Sequence, residues 1–103
     1  MKYEIPRESF KQRLENRLNF VFVDLQAGSS ANFENVEKMN YGPSFKDEFS
    51  AKYPNKAQNV ILYSLGGDDF PAKAAQDLAE AGYHFVYYYN GTPEDSILDK
   101  GLN

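Results

Sequence analysis

Three short runs, Phe20–Val23, Val60–Tyr63 and His84–Tyr89, are continuously β-branched, aliphatic or aromatic instead of alternating with polar residues. A strand of that kind sheds water on both faces, which happens inside a parallel sheet covered on each side by helices. The stretches between the runs are too long for hairpin turns and long enough for crossover helices, so the runs are expected to lie parallel with right-handed connections.

The intervening chain carries the covers. Phe10, Leu14 and Leu18 recur at i, i+4 and i+8, with Lys11, Arg13, Glu15 and Arg17 on the other faces, and Asn19 offers a stop; this spacing predicts an amphipathic helix. Phe45, Phe49 and Tyr53 mark the apolar face of a second helix that Pro54 ends. After Pro43, the segment Ser44-Phe45-Lys46-Asp47 has the form of a capping box at its start. In a third helix Pro71, Ala74, Ala75 and Leu78 share a face, with the proline suited to the first turn and Gly82 to the cap. Pro6 keeps Ile5 out of the helical region, so Tyr3–Ile5 reads as a short extended segment. The stretch from Gln26 to Tyr41 reads as a loop with a short strand. Phe33, Val36 and Met39 also fit a helical turn, whereas Val36–Met39 fits a strand. Beyond the turn Asn90-Gly91, Thr92-Pro93-Glu94-Asp95 has the caps and acids of a last short helix. Together these readings predict one α/β domain over residues 1–103: a central, mainly parallel sheet of about five strands with helices on both faces.

Composition agrees with one packed core, since 42% of the 103 residues are hydrophobic and 16% aromatic. The net charge of -4 and the absence of a basic stripe argue against a nucleic-acid partner. No apolar run approaches the roughly 20 residues that cross a bilayer, and the first residues lack a signal-peptide stretch, so the expectation is a cytoplasmic protein without membrane contact. There is no cysteine. Disulfides, thiolate metal sites and cysteine-nucleophile chemistry are thereby excluded within this chain. With His84 as the one histidine, no transition-metal site and no cofactor are expected. Tyr83, Tyr87, Tyr88 and Tyr89 form a dense aromatic patch, with alternation placing Tyr87 and Tyr89 on one face and Tyr88 on the other.

In α/β folds of this type, sites gather at the carboxyl ends of the strands. Asp24 closes the first buried run, and Ser64-Leu65-Gly66-Gly67-Asp68-Asp69-Phe70 follows the second. The order of these elements resembles the rhodanese domain over essentially the whole chain. Phe22-Val23-Asp24-Leu25-Gln26 is similar to that family's strand-Asp-apolar-Arg opening, with Gln26 replacing the arginine. Val60–Tyr63 and the loop after it, then Ala74-Ala75, Leu78, Gly82-Tyr83, Val86 and Asn90-Gly91, resemble its active-site strand, loop, helix, strand and terminal turn. Asn32–Tyr41 matches poorly, with Phe33 and Val36 alone keeping the apolar character.

The resemblance implies that Ser64 stands where active members carry the persulfide-forming cysteine, and that Asp69 stands about where they carry an arginine. The loop looks one residue longer, as in the related cell-cycle phosphatases. A serine hydroxyl cannot hold a sulfane sulfur as a persulfide. Carboxylates at Asp68 and Asp69 would occupy or repel an anion site built of backbone N–H groups. The expectation is therefore a non-catalytic rhodanese-homology domain that binds a protein or small-molecule partner, with Ser64–Phe70 as recognition surface and Asp24 in support. Two alternatives stand beside it. One is a sulfurtransferase-related enzyme that works through Ser64, or whose native cysteine has been replaced at position 64. The other is a small α/β domain holding Mg²⁺ or Ca²⁺ through Asp24, Asp68 and Asp69.

Overall fold

A computed structural model describes residues 2–15, 20–25 and 36–92. In chain order its elements are β1 (Lys2–Glu4), α1 (Arg7–Glu15), β2 (Phe20–Asp24), β3 (Glu37–Lys38), α2 (Phe45–Lys52), β4 (Asn59–Ser64), α3 (Phe70–Glu80) and β5 (Phe85–Asn90). The strands form one sheet in the order β1-β5-β4-β2-β3, and every pairing is parallel. The expected five-stranded sheet with helices on both faces is what these residues build.

The continuous runs take the middle of the sheet because their side chains serve two cores at once. Ile61 and Tyr63 of β4 join Phe22, Tyr89, Phe10 and Leu14 beneath α1. Val60 and Leu62 turn to the other face, where Val23, Val86, Phe45, Phe49, Ala74, Ala75 and Leu78 enclose them under α2 and α3. Period-two alternation thus turns one apolar run into the partition between two apolar layers. Tyr87 and Tyr89 fall on the α1 side and Tyr88 on the other, as expected. The small residues of α3 let that helix lie close to the strands, while Phe10 and Leu14 of α1 fill the layer on the other face. Phe10 stacks on Tyr89 at 4.6 Å between centroids and meets Tyr63 at 5.2 Å and Phe22 at 6.1 Å.

The helix ends show where local sequence decides and where it does not. α3 closes as expected. Gly82 has φ +99, the left-handed backbone that glycine adopts without a Cβ penalty. Around it, the Tyr83 N–H donates to Leu78 O and the Gly82 N–H to Ala79 O, the bond pair of a Schellman cap. At the start of α2 the expected capping box does not form. Ser44 has φ −95 and ψ −1, already helical, so its hydroxyl cannot reach back to the first-turn N–H groups. Its Oγ donates instead to Glu48 Oε1 at 2.9 Å. Ser44→Ala should therefore change stability by no more than about 0.5 kcal/mol, against the roughly 1 kcal/mol of a true cap; urea unfolding of the two proteins measures the difference.

The short strand expected between Gln26 and Tyr41 is the two-residue β3. It is pinned from outside the sheet: Lys52 Nζ donates to Glu37 Oε2 at 2.6 Å and the Tyr53 hydroxyl to Glu37 Oε1 at 2.8 Å. The bond from Lys52, then that from Tyr53, holds the Glu37 carboxyl below the usual carboxylate range. Leu18 and Asn19, residues 26–35 and the expected helix from Pro93 lie outside the described residues. Among the described residues no helix is long and apolar enough to cross a membrane.

Candidate functional site

The carboxyl end of β4 delivers Ser64 into a loop that turns directly into α3. Ser64 is 0% exposed, and Leu65 is buried in the α1-side core. Gly66 and Gly67 then come to the surface, with Gly67 at φ +76, a backbone angle that L side chains rarely adopt. The loop is stitched to the end of β5: the Gly91 N–H donates to Ser64 O at 2.8 Å and the Gly67 N–H to Gly91 O at 3.1 Å. This is the physical use of the Asn90-Gly91 turn.

Asp68 folds back over this loop. Its Oδ2 accepts from Ser64 Oγ at 2.8 Å, and its Oδ1 accepts from the Phe70 N–H at 3.0 Å, at the first turn of α3. Ser64 Oγ in turn accepts from the Gly66 N–H at 3.3 Å. One carboxylate therefore sits where the loop meets the helix N-terminus, bonded to a hydroxyl and a backbone N–H, the kind of donors that such loops offer to external anions. Asp69 does something different. It occupies the N-cap position without a side-chain capping bond, its carbonyl accepts from the Lys73 N–H, and its carboxylate pairs with Lys73 Nζ at 3.4 Å on the exposed side of α3.

Asp24 is 1% exposed and stands in register with Tyr63 of β4 and Lys38 of β3. Its carbonyl accepts from the Met39 N–H at 3.0 Å, while the next residue, Leu25, donates its N–H to Tyr63 O. Alternation decides where its side chain goes. Val23 and Leu25 face α2 and α3, so Asp24 faces the α1 side, whereas Ser64 follows Val60 and Leu62 toward α3. The three carboxylates weighed as metal ligands are thus dispersed: Asp24 on one side of the sheet, Asp68 in the loop and Asp69 on the helix surface. Among the described residues no group of three or more His, Asp or Glu is arranged to hold a metal ion, which corrects the metal alternative.

A nucleophilic role for Ser64 meets two obstacles. The hydroxyl is buried, closed to a substrate. His84 is exposed beside the start of β5, the opposite end of the sheet from Ser64, roughly 20 Å away for six residues of strand. Asp68 is the ionisable group bonded to the hydroxyl.

A pocket of about 410 Å³ lies beside this loop, lined by Tyr41, Gly42, Pro43, Lys46 and Asp77. The Tyr41 hydroxyl donates to Asp77 Oδ2 at 2.8 Å, and its ring lies 5.6 Å from that of Phe70 and 5.8 Å from that of Phe45. Burial, then the bond to Asp77 and the charges of Asp77 and Asp69, push the Tyr41 hydroxyl up to about 12. Sequence reasoning did not find this pocket. Tyr41 and Asp77 are 36 residues apart, and no periodicity links them.

No protein-family model matches the sequence, and no curated protein matches it. Solved structures do. A crystal structure of the rhodanese-like domain of the Alr3790 protein of Anabaena sp. superposes with a TM-score of 0.57 at 21% identity, covering 71% of this chain and 84% of that one. A second crystal structure of the Anabaena protein gives 0.64 at 21% identity, with 80% and 66% covered. The solution structure of its rhodanese-like domain gives 0.66 at 20% identity, with 89% and 70% covered. At this level of identity the likeness is one of fold, and the fold of this chain is rhodanese-like.

Proposed function

We propose that this domain is a non-catalytic rhodanese homologue that acts by binding or regulation. The observation that carries the reading is the Asp68 carboxylate bonded to both Ser64 Oγ and the Phe70 N–H. A sulfur-transfer loop of this family needs a thiolate at its start and N–H groups left open for the transferred sulfur or its oxyanion donor. Here the residue at that point is a buried serine. The N–H groups of Gly66, Gly67 and Phe70 are already spent on Ser64 Oγ, Gly91 O and Asp68 Oδ1. An incoming thiosulfate would have to break these bonds and approach two carboxylates, Asp68 and Asp69, without a cation from the loop. Such a loop favours recognition through its outer surface, where Gly66, Gly67, Asp69 and Phe70 are exposed.

The test is thiosulfate:cyanide sulfurtransferase activity in the unmodified protein, in Ser64→Cys and in Ser64→Cys/Asp68→Gly. Neither of the first two should transfer sulfur, because a thiol at position 64 still faces the Asp68 carboxylate, which disfavours the thiolate. Turnover by the unmodified protein would defeat the proposal. Turnover by Ser64→Cys alone would mean that the cradle is intact and the nucleophile is the one missing part, which favours the replaced-cysteine alternative.

A further inference from the structure

The pocket between the β3–α2 connection and the flank of α3 has the size that suits one small organic ligand. Its charges are arranged in an unusual way. Lys46, in the first turn of α2, is exposed and has no carboxylate within ion-pairing distance among the described residues. Asp77, on α3, spends Oδ2 on the Tyr41 hydroxyl. A cation and an anion therefore line the same pocket without closing on each other.

Each of these groups would be satisfied by a partner of opposite charge, and the pocket selects against a ligand that brings only one. A simple anion drawn to Lys46 meets Asp77, and a simple cation drawn to Asp77 meets Lys46. A short molecule bearing both charges is attracted at both ends through charge-assisted hydrogen bonds. The surroundings give it a direction. Lys46 belongs to the N-terminal turn of α2, whose dipole favours a carboxylate, and the acids of that turn, Asp47 and Glu48, are not among the residues that line the pocket. The Tyr41 hydroxyl fixes the Asp77 carboxylate at the other side of the pocket. We infer that this pocket binds a compact zwitterion of the amino-acid class, its ammonium group on Asp77 and its carboxylate on Lys46. The inference stands apart from the Ser64 loop and holds whether or not that loop transfers sulfur.

The experiment is a titration of the full chain with each of the twenty L-amino acids, followed by backbone amide shifts in nuclear magnetic resonance. At least one should bind with a Kd of about 1 mM or tighter, moving the amides of Tyr41, Gly42, Lys46 and Asp77. Its N-acetyl derivative and its carboxamide, each carrying one charge, should bind about tenfold more weakly. Lys46→Met should abolish the discrimination against the carboxamide, and Asp77→Asn the discrimination against the N-acetyl form. Both positions lie outside the buried cores, and the amide spectrum of each variant verifies that it is folded. The inference is overturned if no amino acid at about 10 mM shifts those four amides, if the single-charge derivatives bind as tightly as the parent, or if the discriminations survive the two substitutions.

Discussion

Phe10→Ala is expected to lower the unfolding free energy by about 3–5 kcal/mol and the melting temperature by roughly 15–25 °C. Phe10 is 0% exposed and touches the rings of Phe22, Tyr63 and Tyr89, which come from three different strands. Removing it takes away the transfer energy of one aromatic side chain and leaves a cavity whose walls are rigid strands, so little of the loss is recovered by relaxation. Urea unfolding followed by far-ultraviolet circular dichroism measures the change. A loss below about 1 kcal/mol would mean that the remaining rings close over the gap.

Asp68→Ala is expected to cost about 1–2 kcal/mol, which is large for a loop position outside the core. The energy does not come from burying the carboxylate, which is only half-buried, but from what its loss leaves behind: a Ser64 hydroxyl at 0% exposure without its acceptor, and a Phe70 N–H without its own. A double-mutant cycle with Ser64→Ala isolates the contact and should give a coupling of about 1 kcal/mol. Coupling near zero would mean that the Ser64 and Asp68 side chains stabilise the loop independently. It would weaken the idea that Asp68 acts as the built-in anion of the site.

The sheet was legible because its signal is local and repeated. Phe20–Val23 and Val60–Tyr63 announce doubly covered strands by their lack of alternation, and Phe10, Leu14, Phe45 and Phe49 announce the faces that cover them. Gly82 was readable because a left-handed cap needs a residue without a Cβ. The capping box at Ser44 misled for the opposite reason. The required residue types are present, but the turn from Gly42 brings Ser44 into helical geometry before its side chain can cap, and composition carries no record of that angle. The site divides along the same line. That Ser64, Asp68 and Asp69 stand in one loop is written in their adjacency. That Asp68 turns inward while Asp69 turns out to Lys73 depends on how the Gly67 turn aims two neighbouring residues. The separation of Asp24 from that loop follows from the parity of two strands in register, and the meeting of Tyr41 with Asp77 from the packing of α3 against the β3–α2 connection. Neither leaves a mark in a window of ten residues.

The place of β1 bears on how the chain reaches this structure. Among the described residues its one neighbour in the sheet is β5, with Lys2 opposite Val86 and Glu4 opposite Tyr88. Among the described strands, β1 therefore waits for β5, the last in chain order, whereas β2 and β4 can pair with each other before β5 is made. Contacts so distant along the chain slow folding because their loop entropy is spent before they return anything. The sheet is thus expected to grow outward from β4, with the β1 edge docking last, and a nascent chain halted before Phe85 would present Lys2–Glu4 as an unpaired strand open to chaperones and to other copies of itself.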